Sequence, residues 1–227
     1  MKVISILSGG LDSTILTYKL VEEYGKDNVI ALSYFYNQKH SIELEKAKIT
    51  CKKLQITHEI LDISFLSGFL KNSSSLVKNS NLEVPTIEEV IGHPQPITYV
   101  PFRNLLFQSL SLAFAESIGV KKVFIGLQEH DLYSYWDTTE EFIKKVNSIC
   151  ELNRMNLISI ETPFIRMSKY DEILLGKELN VNFEDTWTCY NPIEKNSEIF
   201  ACGICPSCSE RLMNFQKAGL EDRLKYV

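Results

Sequence analysis

No stretch of this 227-residue chain approaches the ~18 consecutive apolar residues that a membrane helix needs. The first residues run into a strand pattern rather than a signal peptide, so the expected compartment is the cytoplasm. There is no long basic tract. With 24 basic against 29 acidic side chains, nothing offers DNA or RNA a groove, and direct nucleic-acid binding is not expected. No internal repeat is visible. Two common nucleotide fingerprints, G-x-G-x-x-G and the lysine-bearing G-x-x-x-x-G-K-[ST], are both missing. The length allows one large or two small domains with a sizeable core.

A different phosphate cradle is present. Leu7-Ser8-Gly9-Gly10-Leu11-Asp12-Ser13-Thr14 lies between the apolar run Val3, Ile4, Ile6, Leu7 and a helical pattern of Ile15, Leu16, Leu20 and Val21. Gly9 and Gly10 permit a tight turn and close approach of an anion. The N-terminus of the following helix would face the same point with unpaired N–H groups. Ser8, Ser13 and Thr14 add hydroxyl donors. A bare Gly-Gly pair is more often a capped strand–helix turn. The full Ser-Gly-Gly-x-Asp-Ser run instead resembles the pyrophosphate loop of the N-type ATP pyrophosphatases, which split ATP into AMP and pyrophosphate.

Strand patterns at 2–7, 29–35, 58–63, 122–127 and 157–161 alternate with helical patterns at 13–24, 41–54, 103–118, 139–152 and 169–179. This alternation predicts an α/β fold with a doubly wound parallel five-stranded sheet. In the helix at 103–118, Leu106, Leu110 and Phe114 form an apolar stripe and Gly119 follows its end. Residues 66–98, with Asn72-Ser73-Ser74-Ser75 and Pro85, Pro94 and Pro96, read as a long loop or lid. From about residue 185 periodicity fades. The expected division is a nucleotide-binding domain at 1–184 and a metal-binding region at 185–227.

Cys189, Cys202, Cys205 and Cys208 place four thiols within 20 residues. Two overlapping Cys-x-x-Cys steps gather three sulfurs, and Cys189 can close a tetrahedron. Four thiolates suit a closed structural Zn²⁺ site. A redox pair or an iron–sulfur cluster is the competing reading, although no second cluster motif exists. Cys51 and Cys150 lie in helical patterns as ordinary thiols.

With loop and cysteines together, the chain resembles the 7-cyano-7-deazaguanine synthases, the QueC family, nearly end to end. Tyr36-Asn37-Gln38-Lys39-His40 with Glu43-Leu44, then Tyr99-Val100-Pro101-Phe102-Arg103-Asn104, match family segments. So do Ser168-Lys169 with Asp171 and Gly176, and Thr186-Trp187-Thr188-Cys189-Tyr190 before the cysteine triplet. The resemblance implies an adenine-nucleotide-hydrolase type of domain bearing a small zinc region. It also implies conversion of 7-carboxy-7-deazaguanine, ammonia and ATP to the nitrile, through an acyl adenylate and an amide. The expected cofactors are ATP, Mg²⁺ and Zn²⁺. The expected partners are the small deazaguanine acid and ammonia, and the sequence leaves monomer and homodimer open.

The departing pyrophosphate is multiply charged, so cations should line its exit. Arg103 and Lys169 are the candidates, Arg103 as a bidentate fork and Lys169 as a point charge. Asp12 either holds Mg²⁺ or caps the helix, and His40 either relays a proton from ammonium or is structural. The last match is partial. In Asp131, Tyr135, Trp136, Asp137, Thr138 and Thr139, the family's Pro, Cys and Arg are replaced by Trp136, Thr138 and Thr139. Here Tyr135 and Trp136 either stack on a purine-like ring or form an aromatic core, while Asp131 or Asp137 could accept ring N–H groups. Loss of the arginine leaves the amide as an alternative end point. The longer spacing through Glu194–Glu198 reads as a loop insertion.

Overall fold

The computed structural model describes residues 1–37, 42–68, 70, 73–77, 81–93, 95–129 and 135–227. His40 and Asp131, with Gln38, Lys39, His130 and Tyr133, lie outside the described residues.

β1 (Val3–Ile6) is the middle strand of a parallel sheet. The strand order is β3 (Thr57–Asp62), β2 (Val29–Phe35), β1, β4 (Lys122–Ile125) and β5 (Ser159–Glu161). Ile4 sits opposite Ile30 on one side and Val123 on the other. All four β1 residues are buried, as a central parallel strand covered on both faces requires.

Alternation along β1 builds two cores. Val3 and Leu7 pack with Leu16 and Leu20 of α1 (Leu11–Tyr24), Ala47 of α2 (Ile42–Leu54) and Ile173 of α6 (Lys169–Glu178). Between them Ser5 Oγ bonds Thr17 Oγ1 of α1 at 2.8 Å. Ile4 and Ile6 point the other way, onto Ala115 of α4 (Arg103–Ser117) and Phe142 and Val146 of α5 (Glu140–Cys150). Each such burial contributes about 1.5–3 kcal/mol. The sheet is therefore doubly wound. Its winding reverses between β1 and β4, which opens a crevice at their carboxyl ends.

The five strands and five long helices expected from periodicity are present, each boundary within two residues. Three details differ. The face of α4 buried deepest is Asn104, Gln108, Ser111 and Ala115, whereas Leu106, Leu110 and Phe114 are only partly buried. On this face Ser111 Oγ meets the Tyr34 hydroxyl at 2.6 Å and the Asn104 amide donates to the Asp137 carbonyl at 3.2 Å. Within 66–98 a one-turn helix, α3 (Ile87–Val90), starts at a capping box of Thr86 and Glu89.

The third difference is the C-terminal region. The stretch read as a loop insertion is a hairpin of β6 (Ile193–Lys195) and β7 (Glu198–Phe200). Asn196 and Ser197 at its tip both take positive φ, 54° and 61°, as a type I′ turn demands. Beyond it α7 (Pro206–Lys217) begins at a proline in the first turn. Phe215 of α7, 1% exposed, packs into the same core as Leu16, Phe164 and Ile173. The C-terminal region thus shares its core with the sheet.

No helix among the described residues is long and apolar enough to cross a membrane. Phe215→Ala should cost about 3–5 kcal/mol in denaturant unfolding while keeping a single transition. An unshifted main transition would instead mean that α7 is energetically separate.

Candidate functional site

The crevice is a cavity of about 280 Å³, floored by Ser8, Gly10 and Ser13 at the carboxyl end of β1. The loop is preorganised by its own hydroxyls. Ser8 Oγ and Ser13 Oγ lie 3.0 Å apart, and the Gly10 N–H donates to Ser8 Oγ at 3.1 Å. Gly9 has φ +88°, and a Cβ there would stand 2.0 Å from the Glu43 carbonyl oxygen in the first turn of α2. Only glycine lets α2 close on the loop. Gly126, after β4, plays a matching part: a Cβ there would lie 3.2–3.3 Å from the Asp12 and Ser13 backbone. Thr14, by contrast, is fully buried and does not line the cavity.

Asp12 is not the cap of α1. Gly10 occupies that position without a side-chain cap, and the Asp12 carboxylate pairs with Lys169 Nζ. Lys169 also reaches Glu172 at 3.2 Å. Glu172 is fully buried, and its Oε1 has no hydrogen-bond partner among the described residues. Burial opposes the lysine's charge, but Asp12 and Glu172 outweigh it and raise its pKa. Burial, then repulsion from Asp12, pushes the Glu172 carboxyl well above the usual carboxylate range, against the pull of Lys169. A buried glutamate three residues after a lysine carries no sequence signal, and reasoning from the sequence missed it.

Arg103 opens α4 on the opposite wall. Phe102 before it is left-handed at φ 53°, and its N–H donates to the Tyr99 hydroxyl at 2.9 Å. The guanidinium bonds the Tyr36 hydroxyl and is ringed by Tyr135 and Tyr190, which with Arg103 itself line the cavity. These three tyrosines are pushed to higher pKa by burial and stay neutral, polar walls. Arg103 and Lys169 therefore line one cavity from the starts of helices packed on opposite faces of the sheet.

The candidate ring-binding residues separate. Tyr135 lines the cavity, and its hydroxyl meets Thr98 Oγ1 at 2.6 Å. Trp136 is 40% exposed, donates its indole N–H to the Tyr99 hydroxyl and packs edge-on to Phe102 and Phe142. It forms no part of the cavity wall. Asp137, 2% exposed, turns instead to the start of α4, where Oδ2 accepts the Asn104 N–H at 3.4 Å. Thr139 caps α5, accepting the Phe142 N–H at 3.2 Å, and is likewise off the wall.

The far wall comes from the C-terminal region. Cys189, Tyr190, Ser207, Glu210 and Arg211 all line the cavity. The sulfurs of Cys189, Cys202, Cys205 and Cys208 lie within 4.8 Å of one another, all buried and none in a disulfide. The Asn191 and Cys202 N–H groups donate to Cys189 Sγ at 3.3 and 3.2 Å, and the Cys205 N–H to Cys202 Sγ at 3.3 Å. Such N–H···S contacts favour thiolates, so the donor set fits a four-coordinate metal. Behind it, fully buried Arg211 forks onto Asp222 at 2.8 and 3.0 Å and bonds Thr186 and Thr188. The Trp187 N–H donates to the Gly9 carbonyl at 2.9 Å, tying the metal region to the phosphate loop.

The family model described as Queuosine biosynthesis protein QueC matches residues 2–219. The chain belongs to the QueC family. It is 38% identical to the 7-cyano-7-deazaguanine synthase of Clostridium kluyveri, over 99% of this chain and 97% of that protein. It is 39% identical to that of Campylobacter jejuni subsp. doylei, over 99% and 98%. A 4-thiouridine synthetase, solved in complex with RNA and bound ATP, superposes with TM-score 0.51 at 15% identity. The match covers 96% of this chain and 51% of that one, a likeness of fold.

Within this QueC chain, the segments that supplied the resemblance are the ones that meet at the cavity: Tyr36 and Glu43, Arg103, Lys169, and Trp187 to Tyr190. Tyr36, Glu43 and Tyr190 lay inside those segments, but periodicity gave no reason to assign them a role.

Elemental analysis should find one metal ion per chain. Cys205→Ser should lower metal content and thermal stability together, because the ion would crosslink the start of α7 to the segment at Cys189. Soluble, folded, metal-free wild-type protein would overturn this expectation.

Proposed function

We propose that the chain is an ATP-dependent carbon–nitrogen ligase that converts 7-carboxy-7-deazaguanine and ammonia to 7-cyano-7-deazaguanine. The observation that carries this reading is the hydroxyl-rich loop at the β1/β4 switch point, with Lys169 on one side and Arg103 on the other. A polyanion seated there meets the N-terminus of α1, the Gly10 amide and the serine hydroxyls. That environment stabilises a departing pyrophosphate better than a transferred γ-phosphoryl group.

The substrate carboxylate attacks the α-phosphorus of ATP, giving an acyl adenylate and pyrophosphate. Ammonia adds to the acyl carbon and AMP leaves, giving the amide. The amide oxygen is adenylated in turn by a second ATP. Loss of AMP and a proton then leaves the nitrile. Ser8, Gly10 and Ser13 donate to the phosphates, Lys169 neutralises them, and Arg103 holds two oxygens at once. Asp12 is the carboxylate assigned to Mg²⁺, which would screen the charge on the leaving pyrophosphate. Cys189, Cys202, Cys205 and Cys208 are assigned to Zn²⁺ in a closed structural site rather than an iron–sulfur cluster. Tyr135 supplies a flat aromatic wall for the deazaguanine ring. The nitrile is favoured over the amide as end point, because Thr138 and Thr139 lie off the cavity wall and Arg103 already supplies a guanidinium in it.

ATP–pyrophosphate exchange dependent on 7-carboxy-7-deazaguanine, and mass analysis of the product made with ammonium and MgATP, test the reading. AMP and pyrophosphate should accumulate with the nitrile. ADP and orthophosphate as the nucleotide products would refute it. Ser13→Ala should slow turnover about 10²-fold by removing one donor to developing charge.

A further inference from the structure

Three carboxylates line the cavity among the described residues: Asp12, Glu43 and Glu210. Asp12 and Glu210 both act on Lys169, at the phosphate end. Glu43 stands apart from them. It is the second residue of α2, and its position is set by the backbone contact on Gly9 described above. The groups that face it are Arg103 from α4 and the Tyr36 hydroxyl just past β2. The Glu43 backbone is thus fixed against the loop, and its carboxyl lines the cavity on the side of Arg103 and Tyr36.

The reaction needs such a group. At neutral pH the nitrogen donor arrives as ammonium, which has no lone pair for attack. We propose that Glu43 is the ammonium site of this enzyme and the base that releases ammonia from it. This assignment rests on the ligase reading above. The Glu43 carboxylate accepts one proton from NH4⁺. The freed lone pair forms the C–N bond at the acyl carbon, the C–O bond to AMP breaks, and the second proton leaves the resulting amide nitrogen to solvent. Burial pushes the Glu43 carboxyl up to about 7, with Arg103 restraining it, so its basicity suits this transfer at neutral pH. Arg103 stays charged and Tyr36 stays neutral across that range, so neither titrates beside it.

The test compares Glu43→Gln with wild type in three assays: acid-dependent ATP–pyrophosphate exchange, turnover with ammonium, and turnover with hydroxylamine, which is largely neutral at pH 7. Exchange should stay within about twofold of wild type, while ammonium turnover falls about 10²-fold. Hydroxylamine should restore most of the lost rate, and the acid limb of the wild-type ammonium profile near pH 7 should vanish. Glu43→Asp should recover part of the ammonium rate. Equal loss of exchange and ammonium turnover in a folded variant would overturn the assignment, since Glu43 would then serve ATP or the fold. Equal loss with ammonium and hydroxylamine would overturn it too. Absence of exchange in wild type would refute the ligase reading, and this assignment with it.

Discussion

The close contact at Gly9 is the constraint on which the rest depends. A missing side chain lets the first turn of α2 rest on the phosphate loop, while the loop's own carbonyl accepts the Trp187 N–H. Three segments far apart in sequence are thereby held at one point. The loop's shape is consequently not a local property of Ser-Gly-Gly. It depends on α2 being docked through Ala47 and Cys51, and on the cysteine region being folded behind Trp187. Coupling of this kind ties the shape of the glycine loop to the folding of the cysteine region.

Electrostatics divide the cavity into two unlike ends. At one end Lys169 is held by Asp12 and the buried Glu172, with Glu210 also acting on it. Burial and the neighbouring Asp12 push the Glu172 carboxyl upward, so the negative charge around the lysine is kept down. At the other end Arg103 is surrounded by neutral tyrosines and keeps its charge directed into the cavity. The lysine end thus carries its own counter-charges, whereas the arginine end is walled by neutral phenols.

The architecture was legible because β1 and its neighbours are short apolar runs set between long helical patterns, and tertiary packing did not override them. The cysteines were legible because ligand spacing is a local property. What stayed hidden depends on burial. Glu172 is indistinguishable in sequence from a solvated helix residue, and Asn104, Gln108 and Ser111 look like the outer face of α4 although they form its inner one. The hairpin at 193–200 was concealed because Asn196-Ser197 lacks the glycine that usually marks such a turn. Trp136, Asp137 and Thr139 follow strand four in sequence, as substrate contacts would. The chain instead spends them on an aromatic surface cluster and two helix starts.

Of the three cations that line the cavity among the described residues, two are the first residues of helices, Arg103 of α4 and Lys169 of α6. Asp12 and Glu43 are second residues, and Ser207 stands in the first turn of α7. A positive charge at a helix N-terminus opposes the macrodipole and costs about 0.3–1 kcal/mol. The left-handed Phe102 ahead of Arg103 adds strain of order 1–3 kcal/mol. The parallel topology makes these costs useful. Each helix that follows a strand starts at the carboxyl edge of the sheet, so α1, α4 and α6 aim their positive ends at one cavity. Placing arginine and lysine at two of those ends raises a potential that is already positive, and Asp12, paired with Lys169, offsets part of it. The same geometry that costs folding stability gives the cavity its preference for anionic groups.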